Sequence, residues 1–176
     1  MLRRASLLLF LAVGAMAQAP RYATDGQLML PGNYREWVFL SSGLGMTYGP
    51  TAGADGFTNV FVNREAYRSF LATGKWPDKT MLLLEIRASA SKGSINKGGS
   101  YQGDLLAIEG EVKDSAKFPA NGWAFFAFGK ANKGKPLPRT QDCYACHAEH
   151  GAVDNTFVQF YPALLEIAKQ KGTLKP

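Results

Sequence analysis

The sequence predicts an α+β protein built on a predominantly antiparallel β-sheet with peripheral helices. Short runs rich in aromatic and β-branched residues recur along the chain, and glycine- or proline-containing turns separate them. Helical periodicity is confined to one central stretch and to the last third. Strands joined by turns rather than by long helical crossovers pair antiparallel.

Taken in order, residues 34–41 (YREWVFLS) and 57–63 (FTNVFVN) show the partial alternation of strands, and the glycine-rich stretch 43–56 between them is a long loop. Asn63 is placed to cap a helix over 64–73, with Tyr67, Phe70 and Leu71 on one face and Gly74 as the stop. Trp76-Pro77-Asp78-Lys79 is a turn by composition, and 80–86 is a short apolar run suited to a buried strand. A second glycine-rich connection, 91–99, precedes strands over 104–112 and 122–128, so that at least five strands form a meander. A short helix near the C-terminus follows. A last helix is expected from about 156 to 171, with Asp154 and Asn155 as its cap and Pro162 bending it or marking its true start. No four helical segments of bundle length can be marked out, which excludes a helix bundle.

Residues 1–17 read as a signal peptide: Arg3 and Arg4, an apolar stretch over 5–15, then Ala15-Met16-Ala17 as a small-x-small cleavage site. The apolar stretch is too short to span a bilayer, and no later run supplies a span. General secretion to a bacterial periplasm is the expectation, leaving residues 18–176 as one domain. Removal of Arg3 and Arg4 lowers the formal charge from +6 to +4, a modest excess without a dense basic run or nucleic-acid signature.

The motif with the most chemical content is Cys143-Tyr144-Ala145-Cys146-His147. Two thiols three positions apart can each add to a porphyrin vinyl group while the adjacent imidazole ligates iron, so this reads as a C-terminal c-type haem motif, with haem c as cofactor and His147 as metal ligand. These are the chain's only cysteines; a zinc or thiol redox site is the competing reading, and zinc would need two further ligands. No methionine follows His147, and His150 shares its helix face. Met29, Met46 and Met81 have apolar flanks and read as core residues. The iron is therefore expected to be five-coordinate, with one face open to a small molecule, which disfavours a plain electron carrier.

The segment 143–162, CYACHAEHGAVDNTFVQFYP, resembles the C-terminal signature of the cytochrome P-460 family, which includes the cytochromes c-prime-beta. Further blocks lie at 30–37 (LPGNYREW), 76–81 (WPDKTM), 94–99 (SINKGG), 112–114 (VKD) and 122–126 (GWAFF). The resemblance implies a homodimer and one of two activities. P-460 members carry a third covalent link from a lysine to the porphyrin and oxidise hydroxylamine to nitric oxide or nitrous oxide, passing electrons to an external acceptor such as another cytochrome. The c-prime-beta members lack the link and bind nitric oxide without turnover. The first activity is the leading expectation. On that reading Lys79, or less well placed Lys75, is the cross-linking amine; Asp104 is the proton acceptor; Gln102 is a hydrogen-bond donor; and Tyr48 and Phe61 wall the distal pocket. Phe157, Phe160 and Tyr161 are expected over the proximal face, and Arg139 at a haem propionate.

Overall fold

The computed structural model describes residues 19–47 and 56–176; the expected signal peptide and Tyr48 lie outside the described residues. The strands are β1 (Leu28–Met29), β2 (Val38–Leu44), β3 (Gly56–Val62), β4 (Met81–Ala90), β5 (Tyr101–Lys113), β6 (Trp123–Gly129) and β7 (Lys133–Pro136). The helices are α1 (Arg64–Thr73), α2 (Asp142–His150) and α3 (Pro162–Lys171). Among the described residues the strands form one antiparallel sheet in the order β1-β7-β6-β5-β4-β3-β2. From β3 to β7 every strand pairs with its predecessor, the expected meander, while β1 pairs with β7.

Alternation sends successive side chains to opposite faces, and each face has its own core. On one face Val62, Leu82 and Trp123 pack with Phe70 of α1, Leu164 and Ala168 of α3, and Val153, Val158 and Tyr161. On the other, Met81, Leu83, Ile108, Val112, Phe126 and Phe128 are covered by Leu28, Tyr34 and Trp37 from the N-terminal segment.

Several boundaries differ from the sequence reading. Residues 34–36 form a 3-10 turn rather than the start of a strand, which lets Tyr34 reach back to Glu85. β1 and β7 have no alternating pattern and escape sequence inspection; β7 is Lys-Gly-Lys-Pro, with only its glycine buried. Helix α1 keeps its expected bounds, and Gly74 closes it at φ 71°, donating to Phe70 O at 2.7 Å. Its buried face is Ala66 and Phe70, however, with Leu71 exposed. Asn63 occupies the cap position, but its side chain is spent on β4: Oδ1 accepts from Met81 N at 2.8 Å. Pro162 marks the start of α3. Asp154 and Asn155 do not cap that helix; both adopt positive φ (50° and 62°) in a turn several residues earlier.

Candidate functional site

The face carrying the helices is only partly filled by them. Between β2–β6 and the C-terminal segment lies a cavity of about 310 Å³, within the range of small-molecule sites. Register divides its sheet wall into two rows. One runs Val60–Leu84–Glu109, and the next runs Val62–Leu82–Glu111–Phe125. Both thiols and His147 line the cavity, with Phe157, Phe160 and Tyr161 beside them.

His147 belongs to the second row. Its ring lies 4.5 Å from that of Phe125 and 4.3 Å from that of Phe157, centroid to centroid. Nδ1 is 2.8 Å from Asn155 O and 3.3 Å from Glu111 Oε2. Donation from Nδ1 to the carbonyl leaves Nε2 as the lone-pair nitrogen, the arrangement by which a backbone acceptor orients a metal-binding imidazole. Burial pulls the imidazole pKa down, but Glu111 and the Asn155 carbonyl outweigh it and hold the pKa above its ordinary value.

The turn after α2 makes this contact possible. A Cβ on Gly151 would sit 2.6 Å from His147 O, 2.7 Å from Asn155 C and 2.8 Å from Thr156 N, so only glycine lets the chain double back so closely. Asp154 and Asn155 complete the reversal in the left-handed region, which their side chains tolerate. The turn is pinned from the sheet side. Trp76 Nε1 donates to Thr156 Oγ1 at 2.8 Å, and Lys113 pairs with Asp154.

Burial pushes the Cys143 thiol pKa up, with the charges of Glu109 and Asp142 adding to it. Among the described residues, no group of three His, Cys, Asp or Glu side chains is arranged to hold a metal ion. What stands together is a haem-type set: two thiols, one oriented imidazole, aromatic and aliphatic walls, and a buried carboxylate oxygen of Glu111 with no hydrogen-bond partner. These residues fit a haem.

Matching against family models gives cytochrome P460 over residues 31–158, more than half the chain. The chain belongs to the cytochrome P460 family. Membership makes it a c-type haem cytochrome, in agreement with the donor set. Comparison with the curated proteins gives no match. No helix among the described residues is long and apolar enough to cross a membrane.

As a member of the family, this chain distributes the other expected residues differently from the sequence reading. Lys79 does not line the cavity: it stands in the turn before β4 at φ 69°, half-exposed, with Nζ paired to Asp114. Lys75 is exposed and also off the cavity. Gln102 belongs to the opposite face, where it exchanges amide hydrogen bonds with Asn59 at 2.7 and 3.0 Å. Asp104 is exposed outside the lining. For Gln102 the reason is pairing: it stands opposite Ser89, an even number of residues from Glu85 and so on the face of Asn59, away from Leu84 and Glu109. Phe61 packs edge-on against Tyr34 and Phe39, again on the opposite face. Arg139 donates to Asn121 Oδ1 and Trp123 O and stacks over Tyr144.

The cavity instead receives Glu109 and Glu111, which the sequence reading passed over. The available signal was Ile108-Glu109-Gly110-Glu111-Val112, two carboxylates at strand period inside an apolar run. Met46, expected as core, lines the cavity too, where its Sδ would lie 2.4 Å from a Cβ on Gly43.

Proposed function

We propose that the protein is a periplasmic mono-haem cytochrome that captures nitric oxide or a similar small nitrogenous molecule, with its haem linked through Cys143 and Cys146 and ligated by His147. One observation carries this choice over the cross-linked oxidase. All twelve lysines of the chain fall among the described residues, and none lines the cavity. A lysine attacks a porphyrin edge only from within reach and as the neutral amine. Lys79 is out of reach, off the cavity with its Nζ paired to Asp114.

A haem held here by Cys143, Cys146 and His147 would supply an iron able to bind a small molecule. The chain's own residues shape what reaches it. The row Val60–Leu84, one residue pair farther from His147 than Leu82–Glu111, presents an apolar wall with Met46 beside it. Such a wall favours a small neutral guest over water, while the hydroxyls of Ser41 and Thr58 offer two polar contacts.

A second reading, hydroxylamine oxidation, is favoured by Glu109. Its carboxylate is the polar group of the far row and is exposed to solvent, so it can take protons from a bound amine and release them to water while an external acceptor takes the electrons. Absorbance of the dithionite-reduced protein with intact mass separates the readings. The two-link reading expects an ordinary ferrous c-type spectrum and the mass of chain plus haem. A broad red-shifted Soret band with a mass two hydrogens lower refutes it and restores the lysine link.

Export and dimerisation belong to the same proposal. Protein from the periplasm should begin at Gln18. Edge strand β2 exposes Phe39 and Leu44, at 52 and 58 %, and is the face on which a second copy would pack. Phe39→Lys should then yield a monomer by light scattering.

A further inference from the structure

Glu111 poses a question that haem attachment alone does not answer. Its side chain is nine-tenths buried, and Oε2 has no hydrogen-bond partner. A neutral imidazole has one proton on Nδ1, and the shorter contact gives it to Asn155 O at 2.8 Å, leaving Glu111 Oε2 close by at 3.3 Å. Lys113, the next side chain of β5 on that face, is already committed to Asp154 and to Trp76 O. Phe125 and Phe157 close the ring on its flanks. A buried carboxylate oxygen left without a donor is costly unless positive charge stands nearby, and Glu111 has the imidazole at 3.3 Å and the cavity beside it, where a group bound by Nε2 would supply that charge.

We propose that Glu111 is the charge partner of the metal centre ligated by His147: set behind the imidazole, its carboxylate favours the ferric over the ferrous haem and lowers the reduction potential. The inference rests on the haem reading above and adds a tuning role for a residue outside the ligand set. Groups behind a ligating histidine are established levers on potential. Charge acts here at short range and behind aromatic rings, where water screens it little. Glu111 is a positioning and tuning residue, since it touches the ligand rather than the reacting molecule.

The test is redox titration of the haem-loaded protein. Glu111→Gln keeps the shape and removes the charge; its midpoint should rise by at least about 59 mV, a tenfold change in the ferric-to-ferrous ratio for a one-electron couple. Glu111→Asp keeps the charge and should stay close to wild type, which a merely structural role does not require. If Glu111→Gln does not load haem, Glu111→Met carries the same expectation and buries no polar group. A loaded Gln or Met variant with the wild-type midpoint overturns the role of Glu111 and leaves the site reading standing. A chain that emerges from haem-competent cells with no haem on Cys143 and Cys146 overturns both.

Discussion

Gly151→Ala is the most direct probe of how the chain holds its histidine. The added Cβ meets three backbone atoms at 2.6–2.8 Å, belonging to His147, Asn155 and Thr156. Backbone cannot step aside as a flexible side chain can, so the turn must open. Overpacking of this kind costs about 1–3 kcal/mol. Opening also lengthens the contact from His147 Nδ1 to Asn155 O, a hydrogen bond worth about 0.5–1.5 kcal/mol. Together the loss is about 1.5–4.5 kcal/mol, which for a chain of this size lowers Tm by about 3–18 °C. Thermal unfolding followed by circular dichroism reads the shift. The ferrous spectrum should change as well, because the imidazole loses its orientation. Gly32→Ala is the control: nothing lies within 4 Å of its Cβ, so stability should stay within about 0.5 kcal/mol. A Gly151→Ala protein as stable as that control, with an unchanged spectrum, refutes the argument that this close approach orients His147.

Lys79→Ala tests the ion pair with Asp114. Burial pushes the Asp114 carboxyl up, yet Lys79 and the Lys117 backbone N–H outweigh it and hold the pKa below its ordinary value. A depressed folded pKa contributes stability that is present above the unfolded pKa and lost as pH falls through the folded one. The variant should therefore lose about 1 kcal/mol at neutral pH, reduced from a buried pair because Lys79 is half-exposed, and unfold at a higher pH in acid titration; its ferrous spectrum should not move. Tyr34→Phe removes a 2.6 Å donor from buried Glu85 and should cost about 1.5–3 kcal/mol in urea unfolding without altering the haem spectrum. Gly43→Ala presses on the ends of the Met46 and Thr58 side chains, which can move, so the affinity for nitric oxide should change while stability stays within about 1 kcal/mol. Glu109→Gln should leave nitric oxide binding intact and slow any hydroxylamine turnover by about 10²-fold or more; unchanged turnover in a steady-state assay removes Glu109 as proton acceptor.

The fold class was legible because strand runs and turn residues are local signals, and the meander uses few long connections. α1 was legible to the residue because its stop is a left-handed glycine. The haem motif was legible because its chemistry is contiguous: Cys143, Cys146 and His147 need no fold to be brought together. The far side of the site was not, because it is assembled from β2, β3, β4 and β5. Which of two neighbouring strand residues faces inward depends on the pairing across β3, β4 and β5, which composition does not reveal. Gln102 was thus credited to the cavity although it serves the amide pair with Asn59, and Glu109 was overlooked. The surroundings of Lys79 were hidden for a related reason: its partner, Asp114, lies 35 residues away.

The pairing of β3 to β7 each with its predecessor bears on how the chain closes. Such pairing joins strands that are neighbours in sequence. The tail is held to this sheet through the Trp76 and Lys113 anchors described above. A scaffold finished at β7 leaves residues 137–176, which carry both thiols, as the part that docks onto it, so burial of that tail would close the molecule.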